Sequence, residues 1–168
     1  MQAALMIKRN ASQIDEIVHT LGILLALPNI LTQDELVESL SLAAGNSGKR
    51  FDVETNRRIA EFTFIQWRGG PEVIRQNKIF KDFYFLAERE TPKVRELYLL
   101  GTEHATKFFN SQRRLRRILA GNAKLGYSFQ ERYGNQFQFV SDYYQSRKDS
   151  VRILDVRPYL HIKGENCL

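Results

Sequence analysis

The sequence predicts an α/β protein, a mixed β-sheet flanked by helices. Residues 51–67 alternate as a β-hairpin does, residues 72–88 form the clearest amphipathic helix, and residues 94–100 make an apolar strand after the Thr91-Pro92 break. Strand, helix, strand in that order implies a right-handed crossover that sets strands 58–67 and 94–100 parallel and adjacent. At 168 residues, 43% hydrophobic and 26% charged, the chain is long enough for one substantial core and short for two. We expect a single domain over 1–168: a helical hairpin at 1–45, a core at 50–101, helices and a last strand at 102–160, and a tail at 161–168.

In chain order, Ser12 suits an N-cap, and Ile14, Ile17, Val18, Leu21 and Leu25 keep helical spacing up to Pro28, which should end the first helix. Thr32-Gln-Asp-Glu35 fits a capping box, so a second helix is expected through Leu36, Val37, Leu40 and Ala44 until Gly45 stops it. Such an αα-hairpin would pack as a lid or flank on the sheet. The Gly45 to Lys49 loop lacks the spacing and the preceding strand of a phosphate loop and reads as a linker. In the β-hairpin, Phe51, Val53 and Thr55 alternate with Asp52 and Glu54, Asn56 and Arg57 supply the turn, and Ile59 to Trp67 is rich in β-branched and aromatic residues. Gly69-Gly70-Pro71 breaks the strand, with Pro71 at the first helical position. The helix that follows buries Val73, Ile74, Phe80, Phe83, Tyr84 and Ala87 and carries Arg75, Lys78, Lys81 and Asp82 on its opposite or bordering surface.

Beyond Gly101, Thr102 to Asn110 reads as a short helix with Glu103 in its first turn, carrying Phe108 and Phe109. Ser111 is expected to cap a helix over Gln112 to Ala120 with a narrow apolar side of Leu115, Ile118 and Leu119. From Ser128 to Ser146, Phe129, Tyr133, Phe137, Val140 and Tyr144 share one helical face and read as core, although Gly134 argues against one continuous helix. Val151 to Val156 is a last strand joining the sheet.

The lone cysteine, Cys167, excludes an intrachain disulfide, and His19, His104 and His161 lack the spacing of zinc ligands. The most apolar run, Ile17 to Leu31, is interrupted by His19, Gly22 and Pro28 and is too short to span a membrane. Asp15 and Glu16 directly before it do not fit a signal peptide, so a cytoplasmic protein is expected. Net charge is +6, and Lys107, Arg113, Arg114, Arg116, Arg117 and Lys124 supply that excess within one acid-free stretch. No acid at i±4 accounts for these arginines, so either a solvated face or phosphate contact explains them.

The hairpin's acids are the unusual feature. Period-two geometry puts Asp52 and Glu54 on one face of the first strand, and Glu61, Thr63 and Ile65 opposite Ala60, Phe62, Phe64 and Gln66 on the second, so one turn brings Asp52 or Glu54 near Glu61. Converging carboxylates repel and are costly to desolvate unless a cation or donor shares them. Magnesium resolves that conflict with oxygen ligands from one or two carboxylates plus substrate phosphate. The plainer reading leaves Glu54 facing solvent and pairs Glu61 with Arg57, Arg58 or Arg68.

An acid on one strand, a turn, then Ala60-Glu61-Phe62-Thr63-Phe64, a helix and a further apolar strand resembles the restriction-endonuclease-like PD-(D/E)XK nuclease superfamily over about residues 50–101. The resemblance implies a restriction-endonuclease-like core, metal-dependent phosphodiester cleavage of DNA, Mg2+ or Mn2+ held by Asp52 and Glu61 with Glu54 a third candidate, and a nucleic-acid partner, DNA before RNA, with a homodimer as a further implication. Thr63 stands where the family's lysine belongs, and a hydroxyl cannot supply its positive charge. Either the cation reaches back from the following helix, through Lys78 or Arg75 more readily than Lys81, or the chain is a binding-only member or an inactivated variant. A lysine at position 63 should raise cleavage if that residue alone is missing. Three readings therefore stand open: a metal-dependent nuclease with Arg113 to Arg117 on the phosphate backbone, a non-catalytic module binding nucleic acid or protein on the same fold, and an unrelated α/β protein with surface acids.

Overall fold

The computed structural model describes residues 2–42, 51–67 and 72–160, with 2–9, 11 and 12 as backbone alone. Five strands form one sheet in the order β1-β2-β3-β4-β5: Val37–Leu40, Val53–Thr55, Arg58–Thr63, Val94–Leu99 and Arg152–Asp155. The first three run antiparallel and β3, β4 and β5 run parallel, so the sheet is mixed and the protein is α/β, as its sequence predicts. The expected crossover is present: β3 pairs with β4 from Arg58↔Val94 to Thr63↔Leu99, joined through helix α2, Val73–Ala87.

Two apolar layers cover the sheet. On one face, α1 (Gln2–Ile30) lays Ile23, Ala26, Leu27 and Ile30 over Val53, Ala60, Phe62 and Tyr98. On the other, α2 and the short helices α3 (Glu103–Phe109), α4 (Leu115–Leu119), α5 (Ala123–Tyr133) and α6 (Val140–Arg147) enclose Ile59, Phe80, Phe83, Leu97, Phe109, Phe129 and Tyr143. The aromatic C-terminal third is core, as expected, with Tyr143 within 6 Å of Phe80, Tyr84, Phe129, Tyr133 and Phe137 ring to ring.

Five expectations change, one of them at the start of α2, where Val73 and Ile74 are exposed rather than on the buried side. There is no N-terminal helical hairpin, because residues 37–40 are a strand paired with β2. The Thr32–Glu35 contacts do form, with Thr32 N and Oγ1 donating to Glu35 Oε2 at 3.0 and 2.9 Å, but Asp34 at φ 62° turns the chain out of the helix. The first helix starts ahead of Ser12 and runs through Pro28; its buried side is not the one carrying Ile14, Ile17, Val18, Leu21 and Leu25, which are exposed. Strand β3 ends at Thr63 rather than Trp67, and the arginine segment is helical only from Leu115, Ser111 donating to Phe108 O at 2.6 Å instead of capping. The 128–146 stretch is two helices, broken at Gly134, whose φ of 53° suits glycine. The Gly45–Lys49 linker, Arg68 to Pro71 and the 161–168 tail lie outside the described residues.

Candidate functional site

The β2–β3 register pairs Val53 with Ala60, and one step further it sets Asp52 opposite Glu61. The two carboxyl groups share a hydrogen bond. Asp52 is held from two more sides: Phe62 N donates to its Oδ2 at 2.8 Å, and His19 Nε2, reaching down from α1, lies 3.3 Å from its Oδ1. Burial works against the Asp52 charge, but the His19 hydrogen bond and charge, the Phe62 amide and Lys78 outweigh it, and the group sits below the ordinary carboxylate range. Glu61 takes the opposite direction. Burial first, then the charges of Asp82 and Asp52, push it up to about 10, so without a cation Glu61 holds a proton at neutral pH.

Helix α2 brings the positive charge. Lys78 Nζ donates to Asp82 Oδ2 at 2.8 Å, one turn along, and to Thr63 Oγ1 at 3.1 Å. Its own burial opposes the charge, but Asp82 and then Glu61 and Asp52 keep its pKa above the usual lysine range. The ammonium therefore stands beside the side chain of residue 63, where the sequence itself supplies only a hydroxyl. Glu61 and Thr63 alternate onto the α2 face while Ala60 and Phe62 pack under α1, as period two requires.

Asp52, Glu61, Thr63 and Lys78 are thus brought together, and other candidates are not. Glu54 pairs with Lys93 at 2.9 Å, a lysine that also holds Glu38. Arg75 pairs with Glu72 and donates to Gln66 O at 2.7 Å, while Lys81 lies 3.6 Å from the far oxygen of Asp82. Glu61 pairs with neither Arg57, which donates to Thr32 Oγ1, nor Arg58, which bridges Glu35 and Glu96. Sequence reasoning passed over His19, which lacks the spacing of a zinc ligand, and Asp82, which it places only among the charged residues opposite or bordering the buried side of the helix. The i, i+4 spacing of Lys78 and Asp82 was the available signal for the second.

Beside this cluster, at the carboxyl ends of β3 and β4, a cleft is lined by Thr63, Trp67, Arg75, Lys78, Leu99 and Gly101. Open α/β sheets bind ligands at such ends. Trp67 Nε1 is buried here with no partner among the described residues.

The basic stretch lies on the outer flank of α2. Helix α4 packs against α2, and a Cβ at Gly121 would come within 2.2 Å of the Asn77 amide, next in sequence to Lys78. Lys107, Arg114, Arg116, Arg117 and Lys124 are exposed, Arg113 is half-buried, and Arg114 stacks on Phe139 at 5.0 Å. None of the six forms an ion pair with an acid among the described residues, where the ion pairs run between other groups.

The donor set fits a divalent cation in one respect: two half-buried carboxyl groups in contact hold a proton that a cation would displace. Among the described residues no three His, Cys, Asp or Glu side chains group as metal ligands, so any such ion would draw its remaining oxygens from substrate and water. Also among the described residues, no helix is long and apolar enough to cross a membrane. No family model, curated protein or solved structure matches this chain.

Proposed function

We propose that this protein is a metal-dependent nuclease of the PD-(D/E)XK type, acting on DNA in the cytoplasm, with its lysine supplied by helix α2. The observation that carries the reading is Lys78 Nζ at 3.1 Å from Thr63 Oγ1, beside the hydrogen-bonded Asp52 and Glu61. Asp52 and Glu61 would hold Mg2+ or Mn2+, which when bound supplies Lewis-acid stabilisation of charge on the scissile phosphate. His19 and the Phe62 amide fix the Asp52 carboxylate, so the pair presents its oxygens without rearrangement. Asp82 holds Lys78 extended and charged. The ammonium orients the attacking water and offsets the negative charge that builds on phosphorus oxygens, the task of the absent motif lysine. Arg113, Arg114, Arg116, Arg117, Lys107 and Lys124 hold the backbone alongside.

This reading alters what a lysine at position 63 should do. Thr63→Lys alone would crowd a second cation against Lys78 and should not raise cleavage. Lys78→Met should lower plasmid nicking in magnesium by roughly 100-fold or more, and adding Thr63→Lys to that variant should recover part of the loss. Metal titration by calorimetry on the same proteins and on Asp52→Ala separates binding from chemistry. Full nicking by Lys78→Met would remove Lys78 from the mechanism. Absence of both metal binding and nicking in the unaltered chain would favour the alternative, a non-catalytic nucleic-acid or protein-binding module, in which His19 and Lys78 simply neutralise the acids.

A further inference from the structure

Helix α1 is apolar on both sides, and the sheet covers only one. His19, Gly22, Ile23, Ala26, Leu27 and Ile30 face the sheet, where Gly22 lies so close to the Phe64 ring that a Cβ would meet it at 2.5 Å. The inner side is therefore tightly docked. On the outer side Ile14, Ile17, Val18, Leu21, Leu24 and Leu25 are 45 to 58% exposed. A helix apolar all round is a buried helix, and here half of that burial is missing from one copy of the chain.

We infer that the outer face of α1 is a homodimer interface, in which the stripe formed by Ile14, Ile17, Leu21 and Leu24 packs against the same stripe of a second copy. Three features select this occupant. The spacing alternates three and four residues, the pattern by which two helices bury a seam of knobs in holes. The stripe itself has no charged member, so pairing with itself through a twofold axis brings no like charges together, and such isologous contacts are the commonest in oligomers. The exposed side chains offer roughly 600 Å2 per copy, about 1,200 Å2 in a pair, which reaches the lower bound of stable interfaces. A lipid surface fits less well. Helices that lie on anionic membranes border their apolar face with Lys and Arg, whereas the only Lys and Arg of α1, Lys8 and Arg9, precede the stripe, and the span of the stripe itself carries Asp15 and Glu16.

The inference does not depend on the nuclease reading. Sedimentation equilibrium across the micromolar range should give twice the chain mass of 19.6 kDa. Leu21→Glu and Ile17→Glu should each raise the dimer dissociation constant by at least 100-fold while leaving the far-ultraviolet circular dichroism unchanged. Ile74→Glu, at an isoleucine 86% exposed on α2, should leave the dimer intact. A single-chain mass for the unaltered protein throughout that range would overturn the proposal, whether or not it binds lipid vesicles. A dimer that survives both glutamates would overturn it as well. Should either glutamate variant lose helicity, Leu24→Gln keeps the size of the side chain and must weaken the dimer in the same direction.

Discussion

Glu61 is half-buried on β3 against two other acids, and the fold pays for that placement in a way that pH exposes. Its pKa is about 10 in the folded chain and near 4.5 when unfolded, so between those values the folded state holds a proton the unfolded state has released. Stability from this group is complete below pH 4.5 and drains away as pH rises toward 10. Glu61→Gln removes the dependence. Urea unfolding should therefore find the variant gaining on the unaltered protein by up to about 1.4 kcal/mol per pH unit across that window. A difference that stays flat with pH would mean that Glu61 is solvated. Saturating magnesium should shrink the gap, because an ion displacing the proton restores the charged form. Part of this cluster was legible in the sequence, because Asp52 and Glu61 follow from strand alternation across one turn. His19 was not, since its contact with Asp52 joins residues 33 positions apart through the packing of α1, which no local pattern encodes.

At the scale of elements, the segment after α1 shows tertiary contacts overriding a local signal. Thr32 and Glu35 form capping-box contacts, yet Glu35 is captured by Arg58, whose Nε and Nη2 reach its two oxygens at 2.6 and 2.7 Å. Arg58 Nη1 then bonds Glu96 at 2.8 Å and Tyr98 Oη at 3.3 Å, tying the turn before β1 to β3 and β4. With that anchor Val37–Leu40 extends alongside β2, and backbone pairing replaces the helix that the capping signature predicts. The β3–α2–β4 unit was legible because its strands and helix keep their own periods and its breaks fall at glycine and proline. The arginine bridge was not, since Glu35, Arg58 and Glu96 have no sequence relation to one another. Arg58→Ala should cost about 3 kcal/mol, as it leaves two buried carboxylates without their cation. Arg58→Lys should recover only part, having no fork to span both oxygens. The Arg58 hydrogen bond, opposed by burial, holds Glu35 at about 2, so its contribution is present above pH 4.5 and lost as pH falls toward 2. Thermal melts from pH 7 down to pH 2 should show that loss in the unaltered protein and much less of it in Arg58→Ala. Equal melting of the two at neutral pH would discard the anchor.

Taken whole, the molecule separates its charges. Several acids are engaged by internal partners, Glu35 and Glu96 by Arg58, Glu88 by Arg132 and Arg147, Asp82 by Lys78, while the basic stretch from Lys107 to Lys124 keeps its charge on the flank of α2. A polyanion approaching this side meets six basic side chains that no acid pairs with among the described residues, and the cleft under Lys78 lies on the neighbouring helix α2. If that surface carries nucleic acid, its affinity must depend on salt in proportion to the phosphates it neutralises, with a slope of about −0.9 per contact on duplex DNA and so about −5 if all six residues engage. Fluorescence anisotropy with labelled duplexes over a salt series measures it. Arg116→Gln and Arg117→Gln should each lower the slope by about 1 and weaken binding equally for unrelated sequences, because guanidinium–phosphate contacts position the duplex without reading it. Lys78→Met should leave the slope within about 1 of the unaltered value, since its ammonium is engaged at the carboxylates rather than on the flank. A slope near zero, or one that neither arginine variant moves, would place these side chains in solvent and leave the charge separation a matter of solubility alone.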